Sequence, residues 1–125
     1  MEFNSQICTT KEQSERLMTL GLKAETADMS ILTNRIDCDG IRYSLTPYKE
    51  MIYPKVFGAI PAWSLHRLIE MCNNTQVGMT IGIYYDEVSV DGDLFEVYDN
   101  TYDNLISIIE WLIELDNFNK EYLEE

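Results

Sequence analysis

Two Asp-Gly dipeptides, Asp39-Gly40 and Asp91-Gly92, each stand between runs of β-branched and aromatic residues, and they constrain this chain more than any other feature of it. Asp-Gly favours the type I′ turn, whose twist joins two antiparallel strands through only two residues. The first dipeptide predicts strands over residues 31–38 and 41–46, with Cys38 opposite Ile41, Asp37 opposite Arg42 and Ile36 opposite Tyr43. The second predicts residues 87–90 against residues 93–98. Here Val88 faces Phe95 and Asp86 faces Val97, while Glu87 falls unfavourably opposite Glu96. Met79, Ile81, Ile83 and Tyr85 alternate as a half-buried strand. The phase of the apolar residues then shifts before Val88, which predicts a bulge near Asp86.

Helix signals separate these strands. Thr10 can cap the amide of Gln13 while Gln13 reaches back, with Thr9 and Glu12 as the alternative pair. This helix is expected to stop at Gly21 in a Schellman ending that closes Leu22 on Leu17, and Leu17, Met18 and Leu20 are expected to face inward. A short helical turn is expected over residues 23–29. Residues 47–62, rich in aromatics and prolines without a period, read as a long packed loop. Ser64 is the expected cap of a second helix in which Leu65, Leu68, Ile69 and Cys72 share a face, with Trp63 and Leu68 as a hydrophobic staple. A third helix, capped by Asn100 or Thr101, carries Leu105, Ile108, Ile109 and Leu112 on one face. Ile106, Ile113 and Leu115 widen that face, and Ser107, Glu110 and Glu114 lie on the other.

The order that results is α-ββ-α-ββ-α. Tight turns impose antiparallel pairing, so the expected class is α+β, with one antiparallel sheet of about four strands (two hairpins) covered by helices. The chain of 125 residues, 46% of them apolar and 25% charged, is expected to form a single domain over residues 1–125. Residues 116–125 read as an acidic tail in which Phe118, Tyr122 and Leu123 dock. The two ββα halves share little beyond their Asp-Gly turns, which argues against a true repeat.

Charge decides which functions to set aside. The formal net charge is −13, but residues 86–125 hold thirteen acids against the single base Lys120, whereas residues 1–85 are nearly balanced. Such a surface repels phosphate backbones, so direct nucleic-acid binding is not expected. No apolar run reaches the ~20 residues of a spanning helix, and the first residues lack a basic segment followed by an apolar one. No membrane association is expected. Cys8, Cys38 and Cys72 are odd in number and widely spaced, which fits reduced thiols and a cytoplasmic location.

Catalytic signatures are sparse. His66 is the only histidine, which rules out a zinc site with two His ligands, and its place on a helix flank reads as a solvated or core-edge histidine. There is no G-x-S-x-G, no P-loop and no G-x-G-x-x-G. Asp37-Cys38-Asp39-Gly40 superficially resembles a calcium loop, yet placing Gly40 at the sixth position puts Arg35 at the first, so the turn reading holds. The carboxylates Asp86, Glu87, Asp91, Asp93 and Glu96 form the one candidate interaction surface. They read as a charged hairpin end, with divalent-cation binding or acid–base work as the alternative. No cofactor is expected.

Thr10-Lys11-Glu12-Gln13-Ser14, Gly21-Leu22, Thr26-Ala27-Asp28-Met29 and Ile60-Pro61-Ala62-Trp63-Ser64-Leu65, with the closing helix around Trp111-Leu112, resemble small proteins of prophages and conjugative elements in gut anaerobic bacteria. That family has no assigned activity, so the resemblance implies an origin and an accessory role but transfers no site residue. The resulting expectation is a non-enzymatic accessory protein of a phage or mobile genetic element that binds another protein or a second copy of itself. In its sharper form it is an acidic inhibitor that imitates nucleic acid in the basic groove of a host enzyme. The alternatives are a small metal-dependent enzyme or metal-binding protein built on the acidic hairpin, and a structural subunit of a larger assembly.

Overall fold

A computed structural model describes residues 6–32, 42–44, 59–75, 81–83, 88–90, 93–94 and 100–124. The chain groups into two compact units, Met1–Leu65 and His66–Glu125. Its class is α+β, and every strand pair among the described residues is antiparallel.

The first unit opens with helix α1, Lys11–Thr19, whose start is the expected capping box: the Gln13 amide donates to Thr10 Oγ1 at 3.2 Å and the Thr10 amide donates to Gln13 Oε1 at 3.0 Å. The helix also ends as expected. Gly21 takes φ 103°, its amide bonds the Met18 carbonyl at 3.0 Å, and the Leu22 amide bonds the Leu17 carbonyl at 3.2 Å. Leu17 and Leu22 are both buried. A side chain at that φ crowds the backbone, so Gly21→Ala is expected to lower stability by about 1–2 kcal/mol, read as a shift in denaturant midpoint with unchanged slope. The inward face needs correction. Met18 is 44% exposed and Leu20 half-buried, and the positions beside Leu17 are filled by Gln13 and Ser14, whose polar groups find partners within the unit.

After a 3-10 turn at Ala24–Thr26, strands β1 (Met29–Leu32), β2 (Arg42–Ser44) and β3 (Ala59–Ala62) form a sheet in the order β2-β1-β3. The pairing of the first two strands is antiparallel as expected, but the register is not: Leu32, not Asp37, faces Arg42, and Ile31, not Ile36, faces Tyr43. The cause lies on the other side of β1. That strand is central and must also place Met29 opposite Ala62 and Ile31 opposite Ile60, which buries Met29, Ile31 and Ala62 with Cys8 in one apolar cluster. A buried face and a second neighbour outweigh turn chemistry in setting register. The Asp39-Gly40 turn itself lies outside the described residues.

Strand β3 also corrects the reading of residues 47–62 as a loop, for its last four residues are strand. Pro61 hid it. Proline lacks the ladder donor and is tolerated because β3 stands at the sheet edge. Helix α1 packs against this strand.

Helix α2, Leu65–Asn73, leads into the second unit, where it buries Leu68, Met71 and Cys72 and leaves Leu65 and Ile69 half-buried. Strands β4 (Ile81–Ile83), β5 (Val88–Val90) and β6 (Asp93–Leu94) form a second sheet in the order β4-β5-β6. Val90 faces Asp93 and Ser89 faces Leu94, the register that a two-residue Asp91-Gly92 connection requires. The expected pairs beyond it, Val88–Phe95, Glu87–Glu96 and Asp86–Val97, and the bulge near Asp86, lie outside the described residues. Among the described residues there are thus two three-stranded sheets in place of one sheet of about four strands, with three helices in the expected places. Among the described residues the two sheets differ in topology, one centred on its first strand and the other a meander.

Helix α3, Thr101–Glu114, is capped by Asn100, whose Oδ1 accepts from the amides of Tyr102 at 2.8 Å and Asp103 at 3.3 Å. It lies against β5. Its burial is wider than one face: Leu105, Ile106, Ile108, Ile109 and Leu112 are wholly buried, and so are Asn104 and, nearly, Ser107. Ser107 was expected on the solvent side and Leu115 on the apolar one, yet Leu115 is 51% exposed. A helix this apolar is enclosed nearly all round over its first turns.

Candidate functional site

Of the five carboxylates that form the candidate surface, the described residues include Asp93, which opens β6 opposite Val90. Asp86, Glu87, Asp91 and Glu96 lie outside them. Among the described residues no group of three or more His, Cys, Asp or Glu is placed to hold a metal ion.

The polar centre that the structure does describe is in the first unit, and three separate stretches of sequence build it. Thr9 precedes α1, Thr26 and Asp28 flank the 3-10 turn's end, and Trp63 and Ser64 follow β3. The Thr9 amide donates to the Trp63 carbonyl at 2.9 Å, and the Trp63 amide donates back to Thr9 Oγ1 at 3.0 Å. Thr9 and Ser14 share a further hydroxyl bond of 2.7 Å. The indole Nε1–H of Trp63 donates to Thr26 Oγ1 at 3.0 Å, and that hydroxyl donates in turn to the Lys23 carbonyl at 2.7 Å. Asp28 accepts from Ser64 with both oxygens, from its amide at 2.8 Å and from its hydroxyl.

A serine bonded to an aspartate invites comparison with a hydrolase, but the roles differ. In a nucleophilic triad an imidazole takes the serine proton and the carboxylate orients that imidazole. Here the carboxylate holds the serine directly, and His66, the only imidazole of the chain, is exposed. Asp28 and Ser64 therefore tie the chain just after β3 to the segment just before β1.

The two described thiols are equally quiet. Burial, then the charge of Asp28, pushes the Cys8 thiol up to about 11, and burial pushes Cys72 up to about 12. Cys72 Sγ donates to the Leu105 carbonyl at 3.7 Å. A thiolate is the reactive form, so neither is expected to be alkylated by iodoacetamide at pH 8 until the protein unfolds. The sign of the linkage follows from the raised folded values. The thiols favour folding fully below the unfolded thiol pKa near 9, and that contribution is lost as pH rises through about 11 to 12. Mass-spectrometric counting of labelled thiols against denaturant checks this.

Sequence reasoning placed Thr10, Gly21 and Asn100 in their roles but missed Thr26 and Asp28 as tertiary anchors. The one available signal was the polar handle of Trp63, since a buried indole N–H needs an acceptor. Set beside known protein families, curated proteins and solved structures, the chain matches none of them. No helix among the described residues is long and apolar enough to cross a membrane.

Proposed function

We propose that this chain is a non-enzymatic accessory protein of a phage or mobile genetic element, acting in a bacterial cytoplasm by binding a protein partner with a basic groove. The acidic C-terminal third, with Asp86, Glu87, Asp91, Asp93 and Glu96 at its centre, imitates a nucleic-acid backbone and blocks that groove. The observation that carries the reading is the charge distribution: thirteen acids against Lys120 over residues 86–125, in a chain whose remainder is nearly neutral. Self-repulsion of this size opposes compactness, and a cationic partner relieves it while like-charged competitors are excluded. The Asp28–Ser64–Trp63 centre supports the same reading from the other side, because its polar groups serve the fold.

The test neutralises the surface with isosteres: Asp86→Asn, Glu87→Gln, Asp91→Asn, Asp93→Asn and Glu96→Gln in one chain. Affinity for the partner captured from a host lysate by the natural sequence is expected to fall on the order of 100-fold, with the circular dichroism spectrum unchanged. A neutralised chain that binds the same partner equally well discards the proposal.

A further inference from the structure

Helices α1 and α3 end alike, but with different residues at the turning point. The Asp116 amide bonds the Ile113 carbonyl at 3.0 Å and the Asn117 amide bonds the Leu112 carbonyl at 2.9 Å, so Asp116 takes φ 57° in the position that Gly21 fills after α1. An aspartate there carries a steric cost that glycine avoids. Beyond it the chain turns back towards the end of α2. Phe118 forms an antiparallel bridge with Thr75, the rings of Phe118 and Tyr122 stand 5.6 Å apart, and Asn74 Nδ2 donates to the Tyr122 hydroxyl at 2.8 Å. Asn119 caps the 3-10 turn Lys120–Tyr122 through the Glu121 amide at 2.9 Å.

Burial along this segment is uneven. Asn117 and Phe118 are buried, whereas residues 119–124 are half-buried or exposed, as is the Asn74–Tyr122 bond. In α3, by contrast, five large aliphatic side chains are wholly buried. Segments with few buried apolar groups open at lower free energy than the core to which they are joined. We infer that residues 117–123 form a strap over the end of α2 that opens and closes about Asp116 while α3 stays folded. Opening uncovers the Phe118 ring and the backbone of Thr75, and it swings Glu121 and Glu124 away from the body of the unit. The strap is tested separately from the acidic-surface reading, because the contacts that define it are made by Asn74, Thr75, Phe118, Asn119 and Tyr122.

Native-state hydrogen exchange on the full chain tests it. The amides of Asn117, Tyr122 and Leu123, each bonded within the segment or to the end of α3, are expected to exchange on the order of 100-fold faster than those of residues 108–112. Their rates should also respond less to low denaturant. Asp116→Gly removes the steric cost of the closed form together with the Lys120–Asp116 ion pair at 3.4 Å, which is largely exposed and contributes little. It should slow these three amides several-fold, and Phe118→Ala should abolish their protection while the helical signal remains. Strap amides that exchange at the α3 rate with the same denaturant dependence overturn the strap. An Asp116→Gly chain with unchanged strap rates overturns the hinge.

Discussion

Replacing Trp63 with alanine is expected to destabilise the protein by about 4 kcal/mol, the largest loss from any single truncation among the described residues of the first unit. The indole is wholly buried and its Nε1–H is bonded to Thr26. Alanine keeps both backbone bonds to Thr9 but leaves a large cavity and takes away the Thr26 donor. Trp63→Phe separates the two contributions. It retains most of the volume and should cost about 1–2 kcal/mol, the value of one hydrogen bond with modest repacking. Denaturant midpoints of the two variants provide the comparison. Similar losses for both would mean that the hydrogen bond, not the packing of the ring, holds this region.

The second large effect belongs to α3. Leu105→Ala is expected to cost about 3 kcal/mol, because its side chain is wholly buried and close-packed interiors relax only partly around a truncation. Leu115→Ala on the same element should stay within about 0.5 kcal/mol, since Leu115 is 51% exposed. The pair therefore tests burial directly, with residue type held constant. A sequence reading that placed both leucines on one apolar face predicts comparable losses; the structure predicts a several-fold difference.

The contrast between these leucines shows where the sequence was legible. Features fixed by residues within a few positions of one another came through: the Thr10–Gln13 box, the Gly21 ending, the Asn100 cap, and the register of Val90 on Asp93. In each, both partners are visible in one short window. Features fixed by distant partners did not. Trp63 reaches Thr26 across 37 residues and Thr9 across 54, and Ser64 reaches Asp28 across 36. The same holds for β1, whose register answers to β3 as well as to its own hairpin. Strand β3 escaped notice because Ala59, Ile60, Pro61 and Ala62 lack the alternation and branching that mark a strand.

Of the candidate surface, the charge excess was legible because it is a property of composition along the chain, and Asp93 was placed correctly because a two-residue turn dictates its partner. The stretches Thr10–Ser14 and Ile60–Leu65 have physical roles that sequence alone assigned only in part. Thr10 and Gln13 cap a helix, as read, but Thr9 and Trp63 also join the two motifs by paired hydrogen bonds. Local propensity supplied the ends of the elements, and long-range pairing supplied their arrangement within each unit.

Mimicry of a nucleic-acid backbone makes a demand that ordinary protein binding does not. The partner's affinity for this chain should fall steeply with ionic strength, and double-stranded DNA or RNA should compete for the same groove. The direct measurement is a titration of the purified partner with the chain at about 50 mM and 200 mM salt, with and without excess nucleic acid. Loss of binding with salt and displacement by nucleic acid are the predicted results; an affinity indifferent to both contradicts the proposed role of the carboxylates.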